Sequence, residues 1–292
     1  MKSGFVSILG KSNVGKSTLL NNILHAKISI VTDKQQTTRN AIKGIYNDED
    51  SQIVFIDTPG IHKARQKLGE EMNNMAYQSI KDAEVVIIVI DASYGIDEEV
   101  KKIYNRVNNK ELPIITVINK IDLIKINRSL ELKKEVSELS KGPIIETVAK
   151  DGFNVEEIIK TLKEMLPDGP QYYDTDTVSD MDVIFQIKEI IREKALYILK
   201  DEVPHSLAVY MKDIKWEENP LPIFADIIVE KDSQKGIVIG KNGQRLKNIG
   251  SKARQSIEAL LHKHVYLNLT VKVKEDWRNS DSTLSTLGYK TK

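Results

Sequence analysis

The fold class predicted by this 292-residue sequence is an α/β domain on a mostly parallel sheet, followed by a smaller α+β domain. Three observations lead there. Short, mainly apolar runs alternate with helical periods up to residue 166; an acidic break rich in proline and glycine follows; and the order of elements beyond it is different.

Phe5–Leu9, Ile53–Ile56, Val85–Ile90, Ile114–Ile118 and Ile144–Val148 are apolar on consecutive positions, the mark of strands buried on both faces. Ser17–Leu24, Leu68–Ile80 and Val155–Leu166 repeat with the helical period. Strands alternating with helices imply right-handed crossovers and a sheet covered on both sides. Pro167, Gly169 and Pro170, with few apolar residues up to Asp182, then read as a linker. This places a first domain at residues 1–168, a linker at 169–182, and a second domain with a C-terminal tail at 183–292. The second domain reads as a helix (Val183–Lys200), strands near Leu207–Ile214 and Ile223–Glu230, helical segments within Lys235–His262 and a final strand. That last strand alternates: Val265, Leu267, Leu269, Val271 and Val273 on one face, Tyr266, Asn268, Thr270 and Lys272 on the other. A small antiparallel sheet with helices on one face is expected.

Apolar residues at 40% and charged residues at 29% suit a folded chain and exclude wholesale disorder. With no cysteine, disulfides, thiol nucleophiles and Cys-ligated metal sites are excluded. The longest aliphatic run, Val85 to Ile90, is far short of the roughly 18 residues of a membrane span. The first residues lack the pattern of a signal peptide, so the cytoplasm is the expected location. Residues 1–177 hold 24 Lys/Arg against 26 Asp/Glu, whereas residues 235–274 hold nine basic residues against Glu258 alone. Such a stripe attracts phosphate backbones, although a solvated helix face gives the same charge pattern.

Four signals in the first domain point to one ligand. Gly10-Lys11-Ser12-Asn13-Val14-Gly15-Lys16-Ser17 fits G-x-x-x-x-G-K-[ST], directly after a strand and at the start of a helix. Its backbone N–H groups can wrap phosphate oxygens, Lys16 can reach the β- and γ-phosphates, and the Ser17 hydroxyl can ligand Mg²⁺. Asp57-Thr58-Pro59-Gly60 ends the second strand, placing a carboxylate for a Mg²⁺-bound water and the Gly60 N–H for a γ-phosphate. Asn119-Lys120-Ile121-Asp122 follows Ile114–Ile118, and an aspartate there accepts from guanine N1–H and N2, donors that adenine lacks. Thr37-Thr38-Arg39 lies in the polar segment Thr32–Asn40, where a threonine can add a hydroxyl to Mg²⁺ and Arg39 can meet either a phosphate or a loop carboxylate.

This set resembles a translation-factor-class GTPase with a domain of the TrmE–Era–EngA type, and so implies a P-loop GTPase fold. The resemblance extends the nucleotide-binding residues to Gly10 through Thr18, Asp57 through Gly60, Asn119, Lys120, Asp122, Ala149 and Lys150. Val148-Ala149-Lys150 stands where the family has S-A-K, and the Ala149 N–H would contact guanine O6. The metal would be held by Ser17, Thr38 and Asp57. Lys16, Thr38, Gly60 and Asn13 would act in catalysis. Ile61 stands where many GTPases carry a water-orienting glutamine, which implies slow unassisted turnover. In related N-V-G-K-S GTPases the asparagine, here Asn13, helps ligand K⁺; alternatively Asn13 only braces the loop.

In the second domain, Ile237-Val238-Ile239-Gly240-Lys241-Asn242-Gly243 resembles the G-x-x-G loop of a KH domain, and the element order resembles the type II arrangement. Two glycines allow close approach to phosphates that Lys241 neutralises, while Ile237 and Ile239 would floor a groove for unstacked bases. Arg245 and Lys247 continue the basic stripe. A GTPase domain followed by a KH domain, with VKVKEDW and LGY near the end, is similar over the whole chain to the bacterial Era family. That implies a GTP switch binding small-subunit ribosomal RNA near its 3′ end during small-subunit assembly, working as a monomer and associating peripherally with the inner face of the cell membrane. The competing reading is a constitutive RNA-binding protein with a structural GTP site. His25, His62, His205, His262 and His264 lack metal-ligand spacing and read as surface or core residues, and Trp216 and Trp277 as packing residues.

Overall fold

The computed structural model describes residues 1–32, 34, 36–199 and 203–290. Lys200, the expected end of the first helix of the second domain, and the last two residues of the tail lie outside them. The chain forms two compact units, residues 1–65 with 69–180, and residues 66–68 with 181–292.

The first unit is built on six strands: β1 (Lys2–Gly10), β2 (Ile42–Asn47), β3 (Ser51–Asp57), β4 (Val85–Asp91), β5 (Ile114–Asn119) and β6 (Ile144–Thr147). Their order is β2-β3-β1-β4-β5-β6, and only β2 runs antiparallel to its neighbour. Helices α1 (Lys16–Ile23) and α5 (Val155–Met165) cover one face, while α2 (Lys67–Gln78), α3 (Glu98–Asn108) and α4 (Ile126–Leu139) cover the other. The apolar run of β4 shows why it has no polar alternation. Val85, Ile87 and Val89 enter the core under α1 and α5, and Val86, Ile88 and Ile90 enter the opposite one. Because β1 has β3 on one side and β4 on the other, its carboxyl end opens at the point where strand order reverses, the place where such sheets hold ligands.

The sequence reading contains no strand between the phosphate loop and Ile53; the structure adds the edge strand β2 there. Short and half polar, β2 draws its strand geometry from pairing with β3. The residues read as a linker are not a free spacer. Ile45 N–H donates to the Val178 carbonyl at 2.9 Å, and Ser179 Oγ donates to the Lys43 carbonyl at 2.8 Å. The buried Gln52 side chain accepts from the Tyr172 and Tyr173 N–H groups at 2.6 and 2.9 Å. Residues 169–180 thus cover the edge that β2 would otherwise leave open.

The second unit consists of α6 (Val183–Ile198), β7 (Ala208–Ile214), β8 (Leu221–Val229), α7 (Asp232–Ile239), α8 (Gln244–Leu261), β9 (Val265–Val273) and α9 (Asp281–Thr286). Its sheet order is β7-β8-β9. The wholly antiparallel sheet expected from sequence is corrected here: β9 lies parallel to β8 from Leu221↔Val265 to Val229↔Val273. The chain returns through α7 and α8, and such a crossover brings a strand back in the same direction. Ile187, Ile191 and Ala195 of α6 and Ile249, Ala253 and Ile257 of α8 pack onto the sheet. Trp277 is fully buried and donates from Nε1 to the Ser206 carbonyl at 2.9 Å, a packing role, whereas Trp216 is 40% exposed.

Candidate nucleotide cleft and nucleic-acid groove

The loop from β1 to α1 uses three residues with positive φ, Gly10, Asn13 and Gly15, to turn its backbone inward. A Cβ on Gly15 would lie 2.2 Å from Asn119 Nδ2, and one on Gly60 would lie 2.5 Å from Ser12 Cα, so both glycines are fixed by close approach. Lys16 is buried, and its Nζ donates to the Gly10 and Lys11 carbonyls at 3.1 and 2.8 Å. Burial lowers its pKa to about 8, against the pull of the Asp57 carboxylate.

Ser17, Thr38 and Asp57, separated by up to 40 residues in sequence, meet at one point. Ser17 Oγ donates to Asp57 Oδ2 at 2.7 Å and lies 2.9 Å from Thr38 Oγ1. Burial raises the Asp57 carboxyl, with Lys16 and the Ser17 hydroxyl opposing. Asp57 Oδ1 is buried and has no hydrogen-bond partner among the described residues. An orphaned carboxylate oxygen beside two hydroxyls is a hard oxygen set that fits Mg²⁺, with phosphate oxygens completing the shell. Among the described residues no cluster of three His, Cys, Asp or Glu could hold a metal.

A cleft of about 360 Å³ opens here, lined by Ser12, Asn13, Gly15 to Thr18, Gly60 and Lys120. Its other walls were missed from sequence: Ile30, Val31, Thr32, Gln36 and the 86% exposed Tyr94, alongside the expected Thr37 and Thr38. Ile30, Val31, Thr32 and Gln36 belong to no period and no motif, so only the folded chain places them at the cleft. Thr58 is turned away from the cleft, donating from Oγ1 to the Ile8 carbonyl at 2.7 Å. Lys11 points outward to Asp97 and Glu99. Arg39 is buried at 1% exposure, and Ile61 lies in the core.

The base-side motif divides into braces and one exposed carboxylate. Asn119 Nδ2 donates to the Val14 carbonyl at 2.8 Å, and its Oδ1 accepts from Ala149 N–H at 2.8 Å. Asn119 therefore ties the phosphate loop to the 148–150 turn. The Ala149 N–H, assigned to guanine O6 by the resemblance, is directed at this side chain. Lys120 Nζ donates to the Asn13 carbonyl at 2.7 Å and to Asp91 Oδ2 at 2.6 Å. Asp91 was not singled out from sequence, although it ends β4 in register with Asn119. Asp122 lies exposed in the turn after Lys120; neither it nor Ala149 or Lys150 lines the cleft.

In the second unit, α7 stops at Gly240 (φ 72°) and α8 starts after Gly243 (φ 75°), with Asn242 at φ 50° between them. A Cβ on Gly240 would lie 2.6 Å from Arg245 Cβ. Lys241, Asn242, Arg245 and Lys247 are exposed. A groove of about 550 Å³ runs from Gly243 between α8 and β9, lined by Leu246, Lys247, Gly250, Ser251, Arg254 and residues 265–269. The expected floor is corrected. Ile239 packs on the core and Ile237 is 42% exposed, whereas Leu246, Leu267 and Leu269 supply the apolar wall. The helical period explains this: Val238 takes the core position, leaving Ile237 outside. Tyr266, Asn268 and Arg254 are wall residues that sequence reading did not assign. β9 is an edge strand, and the first of its N–H groups, that of Val265, donates to Glu258 Oε1 at 3.0 Å.

Comparison with known proteins gives the same division. The model of the 50S ribosome-binding GTPase family matches residues 5–120, and the KH domain model matches residues 202–278. GTPase Era of Halothermothrix orenii is 42% identical over 290 residues, covering 99% of both chains. GTPase Era of Carboxydothermus hydrogenoformans is 45% identical over 291 residues, covering 99% of this chain and 98% of its own. Among solved structures, a Tyr-to-Ala variant of Aquifex aeolicus Era bound to GDP and aluminium fluoride matches with TM-score 0.94 at 41% identity over both full chains. Era in complex with MgGDPNP and nucleotides 1506–1542 of 16S ribosomal RNA matches with TM-score 0.95 at 41% identity, again over both full chains. Identity at this level over the full length, with both domains in the same order, places the chain in the Era family of GTPases.

Proposed function

We propose that the chain is a GTP-hydrolysing switch whose second unit binds small-subunit ribosomal RNA near its 3′ end and which assists small-subunit assembly in the cytoplasm. The observation that carries it is the meeting of Ser17, Thr38 and Asp57 over the phosphate loop. Ser17, Thr38 and Asp57 would hold Mg²⁺; because Thr38 belongs to a loop and Asp57 to a strand end, engaging both with a bound triphosphate would keep that loop closed until hydrolysis. Mg²⁺ supplies positive charge beside the β- and γ-phosphates. Lys16 brings a second charge to the same oxygens, Gly60 offers its N–H, and Asp122 selects guanine. In the second unit Lys241 and Arg254 meet phosphates, while the groove along β9 takes unstacked bases. The Era relative that holds MgGDPNP and 16S ribosomal RNA at 41% identity supports both halves of the reading.

The test is RNA affinity with GDP against a non-hydrolysable GTP analogue. A difference of about fivefold or more, the low end of ordinary coupling, supports a switch; equal affinities favour the constitutive RNA binder.

K⁺ at Asn13 belongs to the same proposal. Ile61 cannot orient water, and Asn13 lines the cleft in a left-handed conformation, its carbonyl engaged by Lys120. Hydrolysis should run faster in KCl than in NaCl at equal ionic strength, and Asn13→Ala should remove the difference. Identical rates in the two salts would count against K⁺. Peripheral membrane association rests on the resemblance alone; among the described residues no helix is long and apolar enough to cross a membrane.

A further inference from the structure

His62 follows the Asp57–Gly60 motif by two residues, and both its ring nitrogens are engaged. Nδ1 lies 2.9 Å from the Gly60 carbonyl oxygen, which only accepts, so Nδ1 carries the proton and donates. In that tautomer Nε2 accepts, and the Gln36 side-chain amide donates to it at 3.1 Å. The backbone of His62 is itself held by α2. Asn73 Oδ1 accepts the His62 N–H at 3.2 Å, and Asn73 Nδ2 donates to the His62 carbonyl at 2.8 Å. Gly69 leaves space for the ring, since a Cβ there would lie 2.9 Å from Nε2. Across the same peptide, Ile61 N–H donates to the Gly10 carbonyl at 3.0 Å. The Gly60–Ile61 peptide is thus clamped between the phosphate loop and His62. Gln36, at φ 59° and on the cleft wall, makes His62 the step from that peptide to the loop that carries Thr38.

We propose that His62 is a positioning residue for GTP hydrolysis, a latch that joins the Gly60 peptide to Gln36 and so holds the Thr37–Thr38 segment closed over the γ-phosphate. This rests on the reading of the cleft as a GTP site. His62 acts through Gly60 and Thr38, the two groups that a γ-phosphate engages and GDP does not. The latch therefore bears on turnover and leaves GDP affinity alone, and misplacement of so small a contact is enough to slow chemistry.

The test is single-turnover GTP hydrolysis together with GDP affinity in the full chain. His62→Ala and Gln36→Ala should each slow hydrolysis by about tenfold, and in His62→Ala, which lies outside the cleft lining, GDP affinity should stay within about twofold of wild type. The double variant should be no slower than either single one, because both remove the same bridge. His62→Gln keeps a donor and an acceptor and should recover most of the rate. Gly69→Ala favours the helix yet displaces the ring, so it should also slow hydrolysis and carries the test alone if His62→Ala does not fold. Wild-type turnover in His62→Ala or Gly69→Ala overturns the latch, as do losses that multiply in the double variant or a parallel fall in GDP affinity in His62→Ala. Absence of turnover in the wild-type chain overturns the GTP reading itself, and the latch with it.

Discussion

The two units solve phosphate recognition in opposite ways. In the first, Lys16, Asp57 and Asn119 are buried, and the glycines are wedged against Asn119 and Ser12. In the second, Lys241 and Asn242 are exposed on a turn and Arg245 and Lys247 on the first turns of α8, and a Cβ on Gly243 would meet nothing within 4 Å. Burial strengthens each interaction and makes discrimination steep, because an unmatched polar group then stays unpaired. Exposure leaves charges screened by salt and yields attraction that depends on their number. The cleft is suited to recognising one small molecule, and the loop to gripping a polymer.

Three substitutions or conditions would break or sharpen that contrast. Asp122→Asn should have the largest effect, weakening GTP binding on the order of 10³ to 10⁴-fold while favouring xanthosine triphosphate, with RNA binding retained. Competition between the two nucleotides for a labelled GDP measures it, and unchanged GTP affinity would refute the guanine assignment. Replacing Lys241→Asp and Asn242→Asp together should lower RNA affinity by at least about 100-fold and flatten its salt dependence, with RNA-free GTP hydrolysis intact. RNA binding that survives at moderate salt would move the site away from the loop.

The smallest effect is in pH. Burial lowers Lys16 to about 8, and phosphates bound beside it would raise it. A lysine whose pKa rises on binding contributes its affinity in full below about pH 8 and loses it as the pH climbs toward the bound-state value. GDP affinity should therefore hold from about pH 7 to 8 and then fall by up to about tenfold per unit. Equilibrium titration with a fluorescent GDP reads this, and a flat profile to about pH 9 would show that Lys16 stays charged when buried.

Particular elements show why some of this was legible in the sequence. The phosphate loop and Asp57 could be read because each motif is local and sits at the end of a strand whose apolar run is unmistakable. Edge strand β2 could not, since IKGIYN lacks both a continuous apolar run and clean alternation. The strap at 169–180 reads as a linker because its bonds go to Lys43, Ile45 and Gln52, 120 residues or more away. The groove walls Tyr266 and Asn268 could be placed on a face of β9, but not beside α8.

By itself the sequence determined which motifs the chain carries, in what order, and on what class of element each stands. Local spacing encodes these because a turn, a strand end and a helix start each follow from a few neighbouring residues. Only the tertiary structure decided who stands next to whom. It turned the Ala149 N–H onto Asn119, made β9 parallel to β8, moved the groove floor from Ile237 to Leu246, and brought Gln36 to His62. Those outcomes depend on packing between segments far apart in the chain, where backbone groups and apolar faces take whichever partner the whole fold brings within reach.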